Sequence, residues 1–286
     1  MQGLSSLASR YDTVLSDVWG VVHNGVSAHA DAVDALLRFR EGGGRVVLIT
    51  NAPRPSPAIV AMLDRLAVPR DAYDAIVSSG DVTRTMLEDF RGRTVHYVGP
   101  PEENDSLFEG LELTLGAADV ADAVVVTDLD TDDDTPDMYA ERIALWLRRR
   151  LPLVAANPDR VVEHGNRLIY CGGALADLYE AHGGRILMAG KPYRPIYREA
   201  LRLAEEAAGR PLDRSRVLAI GDSVRTDAIG AANAGLDLLF ITGSIHAEEL
   251  DAFGDADPAA IRALVEPSGA TLAGFMPRLA WRVAAA

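Results

Sequence analysis

Short apolar runs alternate with amphipathic stretches in two separate parts of this chain, and this rhythm constrains the fold more than any other feature. Near the N-terminus, the runs Thr13–Val18, Arg45–Thr50 and Ala75–Ser79 are typical of strands. The stretches Ala30–Arg40 and Ser56–Leu66 lie between them and are typical of helices. Such a β-α-β-α-β order predicts a parallel sheet with helices on both faces.

The same rhythm returns near the C-terminus, where apolar runs again alternate with amphipathic ones. The predicted strands are Arg185–Ala189, Arg216–Ile220 and Asp237–Ile241, and the predicted helices are Pro195–Ala208 and Asp227–Ala234. We therefore predict an α/β fold with a doubly wound, parallel-sheet, Rossmann-like core that is built from both ends of the chain.

The segment between these two blocks has a different character. It contains an acidic loop, a helix that Thr135 opens, and a predicted hairpin over Val161–Tyr170. We predict that residues 83–184 form an inserted domain, and that residues 1–82 and 185–286 form the core.

Composition excludes several classes of function. The formal net charge of −14 argues against nucleic acid as a partner, because nucleic-acid binding needs a basic face. No apolar run approaches the roughly 18 residues of a membrane span, and the N-terminus has no signal-peptide pattern. The single cysteine, Cys171, allows no internal disulfide and no cysteine metal cluster, so a cytoplasmic location is expected.

Polar side chains follow the ends of several predicted strands. They are, in chain order, Asp17, Thr50, Asn51, Lys191, Asp222 and Asp227. Because the carboxyl ends of parallel strands share one edge of a sheet, we expect these side chains to converge.

The predicted cluster has the groups that phosphoryl transfer needs. A buried carboxylate such as Asp17 costs free energy unless it binds a cation or does chemistry. We predict that Asp17 is the nucleophile and that Asp17 and Asp222 are the natural ligands of a Mg²⁺ site, since Mg²⁺ prefers oxygen ligands. Asp227 is predicted to belong to the same metal site, where it could also hold the metal's waters or the lysine in place. Lys191 adds a positive charge to the transferring phosphoryl group. Thr50 and Asn51 are predicted to bind its oxygens.

This order of residues resembles the haloacid dehalogenase (HAD) superfamily of phosphatases, and the insertion before Lys191 resembles its C2-type cap. The motifs that look like the NagD-like class (class IIA) are Gly20-Val21, Thr50-Asn51, Asn157-Pro158-Asp159, Gly190-Lys191-Pro192 and Gly221-Asp222-Ser223. The resemblance implies Mg²⁺-dependent hydrolysis of a small phosphorylated metabolite through an aspartyl-phosphate, with Asn157 and Asp159 as substrate-binding candidates in the cap. The resemblance is also compatible with assembly of the chain into a homodimer.

Trp19 departs from the family pattern, in which a second aspartate usually acts there as general acid and base. The resemblance implies that the residue at this position contacts the metal through its main-chain carbonyl, so Trp19 is expected to spare metal binding. Candidates for a replacement acid are His23, Asp81 and Asp159. The Trp19 ring itself either fills space or lines the substrate pocket and stacks on a ring.

Three other functions fit parts of the pattern. A carbon–halogen hydrolase of the same superfamily carries an aromatic residue at the Trp19 position, but it would leave Asp222 and Asp227 without a role. A non-catalytic phosphate-binding homologue would keep the cluster without turnover. A phospho-acceptor receiver domain would lack both the insertion and the acids after the lysine. The acid pair therefore favours a phosphatase.

Overall fold

A computed structural model of the chain describes four stretches of the sequence. They are residues 3–100, 105–164, 167–253 and 256–282. Within these stretches, none of the helices is both long enough and apolar enough to cross a membrane.

The chain divides into two compact units. The first comprises Met1–Thr50, Val60–Val77 and Lys191–Ala286, and the second comprises Asn51–Ile59 and Ser78–Gly190. The domain limits expected from the sequence, with an insertion over residues 83–184, stay a prediction.

The regular elements are numbered here in chain order. The strands are β1 (Thr13–Asp17), β2 (Arg45–Thr50), β3 (Ala75–Ser78), β4 (Thr94–Val98), β5 (Thr114–Leu115), β6 (Ala123–Val126), β7 (Leu153–Ala155), β8 (Val161–His164), β9 (Arg167–Tyr170), β10 (Ile186–Met188), β11 (Val217–Gly221), β12 (Asp237–Ile241) and β13 (Thr271–Met276). The α-helices are α1 (Ala30–Glu41), α2 (Ser56–Arg65), α3 (Ser79–Leu87), α4 (Asp105–Phe108), α5 (Ala140–Arg149), α6 (Gly172–Ala181), α7 (Arg194–Ala208), α8 (Ile229–Ala234) and α9 (Pro258–Val265).

A six-stranded sheet with the order β13-β12-β11-β1-β2-β3 forms the centre of the first unit. Strand β1 pairs in parallel with β2 on one side and with β11 on the other, with Asp17 opposite Ile49 and Ser16 opposite Ile220. All five residues of β1 are buried, as expected for a strand whose two faces are both covered. The prediction of an α/β fold with a parallel sheet is confirmed.

The chain order reverses on the two sides of β1, since β2 lies on one side and β11 on the other. Ligands of open α/β sheets bind in the crevice at the carboxyl ends of the strands at such a point. The carboxyl ends of β1, β2 and β11 are therefore the place to look for a site in the first unit.

The second unit has its own parallel sheet, with the order β10-β7-β6-β4-β5. Helices α5 and α6 contribute Trp146 and Tyr179 to a buried apolar cluster against β6 and β7. Strands β8 and β9 pair antiparallel, so the predicted hairpin is confirmed.

One strand lies in a different sheet from the one expected. The sequence pattern places the run Arg185–Ala189 in the C-terminal block, but its strand β10 pairs in parallel with β7, with Ile186 opposite Leu153. Three apolar residues can pair with any strand that offers a free edge, and their sequence does not specify which sheet they join.

Candidate active site

Three carboxylates meet at the crevice of the first unit. Asp17 is the last residue of β1, Asp222 directly follows β11, and Asp227 lies in a π-helical turn, Val224–Ala228, that precedes α8. One carboxylate oxygen from each of the three lies within 4.8 Å of the others. The structure thus brings together three residues that the sequence predicted as metal ligands.

The wide turn explains how Asp227 reaches this cluster. The backbone amides of Asp227 and Ala228 both donate hydrogen bonds to the Ser223 carbonyl, and the Ser223 amide donates to Oδ2 of Asp227 at 3.1 Å. The predicted helix over Asp227–Ala234 therefore has an irregular first turn, a feature that is frequent at functional sites.

Lys191 lies between two of these acids. Its Nζ is 2.6 Å from Oδ1 of Asp17 and donates a hydrogen bond to Oδ1 of Asp227 at 2.7 Å. Burial alone would lower the pKa of Lys191, but the charges of Asp17 and Asp227 outweigh this effect and raise the pKa above its usual value. The ammonium is therefore charged and held against the predicted nucleophile.

One ammonium does not balance three carboxylates. Burial and the Asp227 carboxylate raise the pKa of Asp17 well above its usual range, although Lys191 opposes this shift. The same two causes raise the pKa of Asp222 to about 6. The cluster therefore carries an excess of buried negative charge, which a divalent cation would offset.

The Asp17 carboxylate also has a fixed orientation. The Val18 amide donates a hydrogen bond to its Oδ1 at 2.7 Å. The Ser16 hydroxyl donates to the main-chain carbonyl of Asp17 at 2.9 Å and so holds the backbone of this residue. Such contacts hold a nucleophile in one direction.

Two residues near the acids were missed by the sequence reasoning. Ser244 hydrogen-bonds to Asp222 and lowers its pKa, against the larger effect of burial. Tyr197 is buried, and burial and the Asp227 charge raise its pKa. Ser244 follows β12, so its position as a polar residue after a strand could have predicted a place in the site. Tyr197 lies on the buried face of α7, where an aromatic residue is expected to belong to the core.

Thr50 and Trp19 also belong to the first unit. Thr50 is buried at the carboxyl end of β2, the strand beside β1. Trp19 leaves 47% of its surface exposed, so its ring does not fill the core. Metal binding through the Trp19 carbonyl and phosphate binding by Thr50 stay predictions.

The remaining predicted residues lie together in the second unit. Asn51 Nδ2 donates to Asp159 Oδ1 at 3.0 Å, and the Asp159 amide donates to Asn157 Oδ1 at 3.1 Å. Asn157 Nδ2 donates in turn to Asp128 Oδ1 at 2.9 Å. The structure connects Asn51, Asn157 and Asp159 in one hydrogen-bonded chain, and their substrate-binding role stays a prediction.

The three candidates for a replacement acid all have structural contacts. His23 is buried, and its Nδ1 accepts a hydrogen bond from the Gly25 amide; burial and His29 lower the pKa of His23 to about 4. Asp81 caps α3 and accepts hydrogen bonds from the Ser78 and Ser56 amides. Asp159 accepts from Asn51, as described above. These contacts disfavour each of them as the proton donor.

The single cysteine borders the polar chain of the second unit. Burial, followed by the charges of Asp128 and Asp159, raises the pKa of the Cys171 thiol above its usual value. Because the thiolate is the reactive form, we expect iodoacetamide at pH 8 to alkylate native Cys171 at least about 100-fold more slowly than the urea-unfolded chain. Intact-mass spectrometry over time measures both rates, and similar rates would contradict the buried, protonated thiol.

Comparison with known proteins identifies the family. The model of the family described as haloacid dehalogenase-like hydrolase matches residues 14–111, and a second HAD-hydrolase-like model matches residues 188–266. A crystal structure of a hydrolase of the haloacid dehalogenase-like family from Brucella suis 1330 is 44% identical, with a TM-score of 0.85 and coverage of 98% of this chain and 99% of that one. The chain belongs to the haloacid dehalogenase-like hydrolase family. The predicted Rossmann-like HAD core and cap domain are thereby confirmed.

More distant HAD relatives agree with this assignment. D-glycerol 3-phosphate phosphatase from Mycobacterium tuberculosis is 26% identical over 261 residues, which cover 84% of this chain but only 65% of that enzyme. NagD from E. coli K-12 shares the fold, with 22% identity, a TM-score of 0.68 and coverage of 94% of this chain and 97% of that one. The structural neighbours thus include NagD, as the class IIA resemblance predicted.

Proposed function

We propose that this HAD hydrolase is a Mg²⁺-dependent phosphatase that hydrolyses a small phosphorylated metabolite through an aspartyl-phosphate on Asp17. The observation that carries the proposal is the buried cluster in which Lys191 contacts Asp17 and Asp227 while the oxygens of three acids lie within 4.8 Å. The name of the mycobacterial relative, a phosphatase, supports the same reaction class.

The donor set of the cluster fits a divalent cation. Asp17, Asp222 and Asp227 offer carboxylate oxygens only, which are the ligands that Mg²⁺ prefers. Burial and the charge of Asp227 raise the pKa values of Asp17 and Asp222, so negative charge on these oxygens is costly without a cation. When bound, Mg²⁺ would neutralise the phosphoryl oxygens and the carboxylates that face them.

Asp17 and Lys191 have different roles in the transfer of the phosphoryl group. Asp17 attacks phosphorus, the bond from phosphorus to the leaving oxygen breaks, and a phosphoryl group stays on Asp17. Lys191 places its positive charge beside the nucleophile and stabilises the negative charge of the transferring group. Water then hydrolyses the aspartyl-phosphate and releases inorganic phosphate.

Phosphate release from a panel of phosphomonoesters tests this function. We expect release by the purified chain with Mg²⁺, loss of release with a chelator, and a strong reduction in Asp222→Asn. Asp31→Asn is a matched control because Asp31 is exposed on α1, and it should keep full activity. Halide release from haloacids with no phosphate release would favour the dehalogenase reaction instead. Phosphate binding without any release would favour a non-catalytic homologue.

A glycine beside the acids should be essential for cation binding. Gly20 has a φ of +81°, and a Cβ there would overlap the Asp222 carboxylate and the Ser244 hydroxyl. We expect Gly20→Ala to displace Asp222 and to weaken Mg²⁺ binding by roughly 10- to 100-fold, measured by calorimetric titration. Gly43→Ala is the matched control, because Gly43 has a φ of +90° with no atom within 4 Å of its Cβ position. Equal Mg²⁺ affinity in the two variants would exclude the predicted role of Asp222.

Several parts of the proposal rest on the sequence alone. Substrate binding by Asn51, Asn157 and Asp159, a homodimeric assembly and a cytoplasmic location belong to it as predictions. Single replacement of Asn157 by alanine is the simplest test of the first, with KM as the readout.

A further inference from the structure

Two of the three acids in the cluster have carboxylate oxygens that already accept from donors of the protein. Oδ1 of Asp17 accepts from the Val18 amide at 2.7 Å and lies 2.6 Å from Nζ of Lys191. In Asp227, Oδ1 accepts from Nζ of Lys191 at 2.7 Å, and Oδ2 accepts from the Ser223 amide at 3.1 Å. These contacts limit the number of carboxylate oxygens that a cation can share.

The third acid, Asp222, is restrained by Ser244. The Ser244 side chain hydrogen-bonds to the Asp222 carboxylate. Oδ2 of Asp222 and Oγ of Ser244 lie only 2.1 Å and 2.4 Å from the position that a Cβ of Gly20 would take. Oδ2 is therefore the Asp222 oxygen on the side of the serine, and the missing side chain of Gly20 leaves the space in which the two oxygens meet.

The backbone fixes the place of the Ser244 hydroxyl. The Gly243 amide donates to the Pro277 carbonyl at 2.9 Å, directly beyond the end of β13. A Cβ at Gly243 would lie 2.3 Å from the same carbonyl oxygen, so the two backbones pass close to each other. On the other side, the Ser244 carbonyl accepts from the Ala247 amide at 2.9 Å. Ser244 is thus held from both sides, and its hydroxyl is preorganised beside Asp222.

Mg²⁺ and Ca²⁺ differ in how they use carboxylates. Mg²⁺ is small, requires near-octahedral geometry and keeps several waters, so single oxygens from one or two carboxylates suffice. Ca²⁺ is larger, takes about six to eight oxygen ligands, and accepts both oxygens of one carboxylate. Acids that each present a single free oxygen therefore favour Mg²⁺.

We infer that Ser244 is a positioning residue that makes this site selective for Mg²⁺ over Ca²⁺. The inference rests on the proposed function and deepens it. The serine hydroxyl engages Oδ2 of Asp222 and leaves the other oxygen to the cation, so that Asp222 supplies one ligand. The other donors act through backbone amides, at Val18 and Ser223, or carry a charge, at Lys191. Ser244 is therefore the donor that one neutral side-chain substitution removes.

Calorimetric titration of the full chain with Mg²⁺ and, separately, with Ca²⁺ tests this role without measuring turnover. We expect Ser244→Ala to weaken Mg²⁺ binding by roughly 10-fold or more, because Asp222 loses its fixed orientation. Ca²⁺ affinity should stay within about threefold of wild type, because the freed oxygen can join the Ca²⁺ ligands. The ratio of Mg²⁺ affinity to Ca²⁺ affinity should therefore fall by at least about threefold, and Ser244→Thr, which keeps the hydroxyl, should restore it.

Ser5→Ala is the matched control, because Ser5 is also half-buried and lies in the N-terminal 3₁₀ turn Leu4–Ser6. It should bind both cations as the wild type does, and thermal unfolding checks that every variant is folded. An unchanged or higher ratio of the two affinities in Ser244→Ala would overturn the inference and leave the proposed function intact. Absence of Mg²⁺ binding by the wild-type chain would instead overturn the metal requirement of the proposed function.

Discussion

Replacing Asp17 with asparagine is expected to reduce phosphate release by at least about 10⁴-fold, because an amide oxygen cannot form the aspartyl-phosphate. The change keeps the size of the side chain at the end of β1. It also removes a buried carboxylate whose pKa is raised by burial and by the nearby charge of Asp227, so we expect the fold to persist. Steady-state phosphate release with Mg²⁺, together with thermal unfolding of the same samples, measures both effects.

Asp31→Asn provides the comparison for this variant, since it makes the same chemical change at an exposed acid. It should retain wild-type activity and stability. Turnover in Asp17→Asn within tenfold of wild type would show that another residue is the nucleophile or that water attacks the substrate directly.

Replacing Lys191 with methionine is expected to impair both stability and turnover. Lys191 is buried and contacts Asp17 and Asp227, so its loss leaves two carboxylates without their cation. Breaking a buried ion pair in this way costs roughly 3–5 kcal/mol of unfolding free energy. We also expect kcat to fall by roughly 10²- to 10³-fold, because a fixed charge beside the transferring group is lost. Denaturant unfolding and phosphate release measure the two effects.

A second replacement separates charge from shape at this position. Lys191 is the sole lysine among 28 lysine and arginine residues, so the other 27 are arginines. An ammonium is compact, whereas a guanidinium is a wide planar fork that does not fit the same space between two carboxylates. We therefore expect Lys191→Arg to keep the charge and still lose most of the activity. Wild-type kcat in Lys191→Arg, or unfolding of Lys191→Met at the wild-type denaturant concentration, would contradict this account.

The convergence of the acids could be predicted from the sequence because it depends on sheet topology. Asp17 ends a buried strand, Asp222 directly follows another, and parallel strands place those ends at one edge. The place of Lys191 in the site could be predicted from its position after an apolar run, and it is the only lysine in the sequence. The partners of its hydrogen bonds could not be predicted. The contact of Ser244 with Asp222 depends on the path of a loop, which local sequence does not specify.

Other features depended on packing that the sequence pattern does not encode. The run Arg185–Ala189 has the composition of a strand, but this composition does not specify a sheet, and β10 pairs with β7 in the second unit. The backbone at Gly20 approaches Asp222 so closely that a Cβ would overlap its carboxylate, a contact between residues about 200 positions apart. Both cases show that long-range contacts decide what periodicity leaves open.

Phosphorylation of Asp17 tests the central claim most directly. The chain is incubated with Mg²⁺ and acetyl phosphate, quenched in acid, and analysed by mass spectrometry of the intact protein and of its peptides. We predict one added phosphoryl group, carried by the peptide that contains Asp17 and absent from Asp17→Asn. Phosphate release by the wild-type chain with no phosphoryl group on Asp17, or with the group on another residue, would contradict the account.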